Sequence, residues 1–257
     1  MAGLRTVHRA FVAHVPFEDL AVQLGESEPL DPRKLVERVL HGGRGGYCFE
    51  VNTVFLTLLE SLGFAVERRQ AIVGPRGARA AGEPTNHLAL VVRTPNDERF
   101  VAEGGFGEGP VDPLPLAAGA VKAGAFTFRL ERDGDGWWLA QHEHGSAPGF
   151  HFDDAPASLA DFQPHHERLS TSAESGFVQT LLVQRPHADR IVTVRARTFF
   201  VDGPGRRDRR LLDDVDAFAA TLRDTFGIDP AALGPDRLGR LWARAEAQHA
   251  AHQGSTS

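Results

Sequence analysis

Apolar positions change their spacing twice along this chain. Within 48–62 (CFEVNTVFLTLLESL), Val51, Val54, Phe55, Leu58, Leu59 and Leu62 recur at three- and four-residue steps. That spacing predicts one buried helical face, and Gly63 predicts the stop. Upstream, 32–40 (PRKLVERVL) reads as a helix with Pro32 in the first position after a capping Asp31. Helices are expected through the first ~65 residues. From about 65 to 145 the period falls to two. Strands are predicted at 65–73, 87–93, 98–103, 125–131 and 137–143, separated by turn signals that include Asp133-Gly134-Asp135-Gly136. So many short strands predict a small barrel or curled sheet. The last third predicts a helix at 172–184, a strand at 190–201, helices near 213–225 and 236–251, and a frayed tail at 252–257. No internal repeat is present.

Composition narrows the class. The chain has 257 residues, 42% hydrophobic and 24% charged, as expected of a globular protein. No apolar run approaches the ~20 residues of a membrane span, and the N-terminus lacks a signal-peptide pattern, so a cytoplasmic protein without a membrane partner is expected. A net charge of -6 argues against nucleic acid. Arg206, Arg207, Arg209 and Arg210 lie beside Asp213, Asp214 and Asp216 and read as a solvated turn. A single cysteine rules out an internal disulfide and multi-cysteine zinc sites. His142, His144, His165 and His166 read as exposed rather than metal-binding. Asp133–Gly136 lacks the ligand spacing of a calcium loop. Trp137 and Trp138 alternate on one strand, predicting one in the core and one at the surface. On 236–251, Leu238, Leu241, Trp242 and Ala245 form a docking face, with a homodimer contact as the alternative.

The stretch 42–52 (GGRGGYCFEVN) carries the most chemical information. Its glycines permit positive φ and close approach to a ligand. Cys48 falls in the first turn of the predicted helix, where free N–H groups and the dipole favour a thiolate and can form an oxyanion hole. A small buried cysteine, a phosphate loop and a plain turn remain alternatives, although the spacing matches neither phosphate-loop pattern. A thiolate nucleophile needs a histidine base and a group to orient it. If 87–93 and 98–103 pair as a hairpin around Pro95-Asn96, His87 and Glu103 fall nearly opposite each other, with Cβ atoms ~5 Å apart. A satisfied edge histidine and a solvated acid are the competing readings.

These residues also match a family. RGGYCFEVN (44–52) resembles the arylamine N-acetyltransferase signature. VPFEDLAVQLG (15–25), NHLALVV (86–92), EGGFG (103–107) and LSTSAESGFVQTLLVQRP (169–186) resemble further segments in the family's order. The resemblance implies an α+β multi-domain fold with a papain-like Cys-His-acid site. It comprises a helical bundle (1–65), a β-barrel and following helix (66–185) and an α/β lid (186–257). Cys48 would be the nucleophile, His87 the base and Glu103 the orienting acid. Arg44 and Glu50 would support the site. Gly105, Phe106 and Gly107 would shape the acyl pocket, and Gly124 would border the CoA channel. The implied reaction is ping-pong transfer from acetyl-CoA to an arylamine or arylhydrazine, with no bound cofactor. An amide synthase fed by a polyketide acyl carrier protein and a non-catalytic binding module are the alternatives. Two positions depart from the family pattern: Glu103 stands where most members have aspartate, and Asp19 where asparagine is usual.

Overall fold

Residues 2–80 and 82–254 are described by the computed structural model. The N-terminal helices are α1 (Ala2–His14), α2 (Leu20–Leu24), α3 (Pro32–Gly42) and α4 (Cys48–Ser61), with the two-residue strand β1 (Phe17–Glu18) after α1. Asp31 caps α3 by accepting from Arg33 N at 2.9 Å, and Pro32 occupies the first helical position, where no N–H is needed. In α4, Val51, Val54, Phe55 and Leu59 are buried, whereas Leu58 and Leu62 of the predicted face are exposed. They lie on the outer side of the last turn. α1, α3 and α4 bury Phe11, Leu35, Phe49 and Phe55 in one core, and Phe162 joins them.

Eight strands follow: β2 (Ala65–Val73), β3 (His87–Arg93), β4 (Arg99–Val101), β5 (Leu114–Pro115), β6 (Gly119–Ala123), β7 (Phe126–Asp133), β8 (Gly136–Ala140) and β9 (Gly149–Asp153). They form one antiparallel sheet in the order β5-β4-β3-β2-β9-β8-β7-β6. The end strands β5 and β6 lie against each other, so the sheet curls into a nearly closed barrel filled by Phe128, Leu130, Phe150 and Phe152. Trp137 and Trp138 are both buried, not one in and one out as predicted, since the outer face of β8 is also covered.

The chain continues through α5 (Gln163–Thr171) and α6 (Gly176–Gln179) into β10 (Leu182–Pro186), β11 (Ile191–Arg195), β12 (Thr198–Gly203) and β13 (Arg206–Leu211). Helices α7 (Val215–Phe226), α8 (Pro230–Leu233) and α9 (Pro235–Gly254) complete it. The five-stranded sheet runs β1-β10-β11-β12-β13, so its first strand comes from the far N-terminus. Two expectations are corrected here. The helix expected at 172–184 is a single short turn followed by strand, because Leu182–Pro186 pairs with both β1 and β11. Arg206–Arg210 belongs to an exposed edge strand instead of a turn, paired to β12 through its backbone and through Arg207 with Asp202 and Arg210 over the Phe199 ring. Of the tail, 252–254 continue α9, and 255–257 lie outside the described residues.

Candidate active site

Cys48 is the first residue of α4 and is 3% exposed. Two positions in the loop before it accept no side chain: a Cβ on Gly45 would run into the Pro16 carbonyl oxygen, and Gly46 has φ 145 against the Glu50 carboxylate. Glu18 N donates to Gly46 O at 2.9 Å, tying the loop to β1. Arg44 grips the buried Glu18 with two hydrogen bonds of 3.0 and 3.2 Å. Burial alone would push the Glu18 carboxyl up, but the Arg44 and Arg38 charges outweigh it and hold the group below its ordinary range. Arg38 Nη1 donates to Glu50 Oε1 at 2.9 Å and Nη2 to Gly45 O at 2.6 Å, while Glu50 Oε2 accepts from Tyr47 N at 3.1 Å. Arg44 and Glu50 thus brace the loop from below.

His87 opens β3 and Glu103 lies just past the end of β4. His87 Nε2–H donates to Glu103 Oε2 at 3.0 Å, a carboxylate having only acceptors to offer. The register differs from the one expected: Val91 pairs with Val101, which continues to Ala89 opposite Glu103. The offset is two residues, so both side chains share a face, and the long glutamate spans the diagonal. Glu103 Oε1 accepts from Asn52 Nδ2 at 2.7 Å and from Gly105 N at 2.9 Å. Asn52 Nδ2 also donates to Leu88 O at 2.6 Å, and its Oδ1 accepts from Gly104 N at 3.2 Å, which fixes the amide. Phe150 and Phe106 flank the imidazole, with ring centroids at 4.7 and 5.5 Å. His87 and Glu103 are each 1% exposed.

The Cys48 thiol donates to Asn86 O at 3.5 Å. Burial pushes this thiol well up, the Glu103 charge adds to that, and nearby N–H groups of Phe49 and Leu88 pull the other way. The helix-terminal N–H groups thus act in the direction expected from the sequence, but burial outweighs them, so helix position alone does not make a thiolate here. Cys48 and His87 line the same cavity of about 300 Å³, together with Asn86, Gly105, Phe106 and Gly107. A larger cleft of about 570 Å³ shares Glu108, Ser146 and Gln184 with it and carries Arg195, Arg206 and Arg207. Gly124 sits in the β6–β7 turn against Ala188 and lines neither.

Asn52, Glu108 and Gln184 were not singled out from the sequence. Asn52 had a usable signal, since four residues after Cys48 is the same helix face. Among the histidines, His142 and His166 are buried, not exposed: His142 Nε2 donates to Glu108 O, and His166 links Tyr47 Oη to Glu28 O. Among the described residues no group of three or more potential ligands could hold a metal ion, and no helix is long and apolar enough to cross a membrane.

A family model described as N-acetyltransferase matches residues 1–232. The arylamine N-acetyltransferase of Mycolicibacterium smegmatis is 32% identical over 235 residues, covering 88% of this chain and 86% of the relative. The structure of the Mycobacterium marinum arylamine N-acetyltransferase in complex with CoA superposes with a TM-score of 0.85 at 29% identity, covering 95% of this chain and 92% of that one. The Salmonella typhimurium arylamine N-acetyltransferase gives 0.84 at 28% identity, covering 96% and 91%.

Proposed function

We propose, from the premise that this chain belongs to the arylamine N-acetyltransferase family, that it moves an acetyl group from acetyl-CoA to an arylamine or arylhydrazine nitrogen through a thioester on Cys48. The observation that carries this reading is the buried His87–Glu103 hydrogen bond of 3.0 Å beside the same cavity as the cysteine. Nε2 of His87 is engaged by Glu103, which leaves Nδ1 to take the thiol proton in a papain-like arrangement. Burial opposes a lone thiolate. Transfer within the cluster does not add charge, because thiol, neutral imidazole and carboxylate carry the same net charge as thiolate, imidazolium and carboxylate. The burial penalty therefore falls mainly on an isolated ionisation, and the pair escapes much of it.

The Cys48 thiolate attacks the thioester carbonyl of acetyl-CoA, and the first N–H groups of α4 stabilise the oxyanion. The carbon–sulfur bond to CoA breaks, and the His87 imidazolium returns its proton to the departing CoA thiolate. The amine nitrogen then attacks the acetyl-cysteine carbonyl while His87 removes a proton from it. Cys48 leaves, completing a ping-pong cycle. The CoA complex of the M. marinum relative supports the donor, and Arg195, Arg206 and Arg207 in the larger cleft suit its phosphates. In this scheme 1–65 supplies the nucleophile, 66–185 the base and acid, and 186–257 the lid. The test is mass spectrometry of the intact protein after mixing with acetyl-CoA alone. One acetyl group on the Cys48 peptide, absent from Cys48→Ser, is expected. An unmodified wild-type protein would overturn the mechanism.

A further inference from the structure

Glu108 has no task in the mechanism above. It follows Phe106 and Gly107, is 6% exposed, and sits where the two cavities meet. Its oxygens accept four hydrogen bonds: Ser146 N at 2.8 and 2.9 Å, Ser146 Oγ at 2.7 Å and Ala147 N at 3.2 Å. Its carbonyl accepts from His142 Nε2 at 3.1 Å. One residue thus ties down the 142–147 segment between β8 and β9. Each of these partners is a neutral N–H or O–H, His142 being kept neutral chiefly by burial, so the carboxylate is solvated by dipoles and, among the described residues, is held in no direct ion pair, the nearest cationic lining being Arg195, Arg206 and Arg207 of the larger cleft. Among the described residues lining the catalytic cavity it is the only carboxylate.

We propose that Glu108 is a specificity-determining residue: its charge, held by neutral donors at the edge of the Cys48 cavity, selects neutral and cationic amine acceptors against those bearing a carboxylate. The inference rests on the acyl-transfer reading for its substrate class, while its physical core is a negative potential at Cys48. A unit charge acting over about 10 Å at an intermediate effective dielectric, reduced by solvent at the cavity mouth, gives roughly fivefold discrimination between a neutral and an anionic molecule of the same size.

Because Cys48 is the only cysteine, its alkylation by iodoacetamide and by iodoacetate reads that potential directly. The ratio of the two rates, divided by the same ratio for free 2-mercaptoethanol, is expected to favour the neutral reagent about fivefold in the wild type. It should collapse towards one in Glu108→Gln and persist in Glu108→Asp and in Glu143→Gln, a control at an exposed acid of the same loop. Added potassium chloride should narrow the wild-type ratio, a measurement that needs no variant. In parallel, Glu108→Gln should raise kcat/KM for 4-aminobenzoate relative to 4-methylaniline. An alkylation ratio indifferent to Glu108→Gln and to salt would overturn the inference. This readout requires no acetyl transfer, so an enzyme that acetylates amines but shows no such ratio loses only the Glu108 assignment. A protein that shows the ratio but never takes an acetyl group loses only the mechanism.

Discussion

Glu103→Gln separates two ways of ionising Cys48, because they predict opposite signs. If the thiol ionised alone beside a neutral imidazole, Glu103 would oppose it, being the largest contributor after burial itself to the upward push on that thiol. Removing the charge would then make Cys48 more reactive. If the proton passes to His87, Glu103 stabilises the imidazolium. With charge centres ~4 Å apart and an effective dielectric of ~20, that attraction is about 4 kcal/mol. Repulsion of the thiolate across the imidazole, about 7 Å away, removes roughly 2 kcal/mol of it. The net of about 2 kcal/mol corresponds to a twenty- to thirtyfold loss of thiolate. The amide adds a second loss. Asn52 and Gly105 both donate to Oε1, so the glutamine oxygen stays there and its NH2 faces His87. The ring must then accept at Nε2 and carry its proton on Nδ1, where it cannot receive the thiol's. The expected result is at least about a thirtyfold fall in iodoacetamide alkylation at pH 7, read by stopped flow and intact mass. Alkylation as fast as in the wild type, or faster, would refute the imidazolium argument.

Other perturbations follow from the same geometry. Gly105→Ala places a Cβ 2.8 Å from the Asn52 amide and 2.9 Å from Cys48 O; it should cost at least about tenfold in acetylation rate by loosening the Glu103 clamp, checked by single-turnover kinetics. Arg44→Ala strands the buried Glu18 and should destabilise by about 3–5 kcal/mol in urea titration. The Glu18 carboxyl is held low in the folded state, so its contribution is present above its unfolded value of 4.5 and fades as pH falls; Arg44→Ala should lose that acid-side decline. Asp19 is the opposite case. Burial raises its carboxyl well above 3.8, the fold binds its proton more tightly than the open chain, and stability declines as pH rises from about 4 towards the folded value. Asp19→Asn, which keeps the bond from Leu182 N, should show a Tm advantage that grows from pH 5 to pH 8 by scanning calorimetry. Phe49→Ala, at a fully buried ring, should cost about 3–5 kcal/mol in the same urea assay.

Local chemistry explains which parts could be read in advance. The start of α4, the β2 and β3 strands and the αL stop after Leu62 are set by spacing, glycine placement and capping, all within a few residues of the chain. His87 and Glu103 were paired by assuming a short hairpin, and the two-residue error in register left them on one face. The failures lie where the outcome depends on distant segments. Phe177, Val178, Leu181, Leu182 and Val183 satisfy a helical face and a buried strand equally well, and only the presence of β1 and β11 decides. Arg206–Leu211 is exposed along its length, so no alternation marks it as a strand. Glu108 and Gln184 become part of the site only when the barrel and the second sheet meet. Burial of Cys48 likewise needs the whole assembly, which is why the thiol's resistance to lone ionisation was not visible from its helix position.

The pairing of β1 with β10, and of Phe17 with Gly46, has a consequence for biogenesis. Residues 17–18 and 45–46 leave the ribosome early, yet the strand that locks them is made more than 130 residues later. Until Leu182–Pro186 has emerged and found its place, β1 has no neighbouring strand, and the glycine loop is held only by its own contacts with Glu18 and Arg38. The burial of Cys48 in the finished fold therefore depends on a strand made long after it, and an early-arrested chain is expected to alkylate faster at its sole sulfhydryl than the complete one.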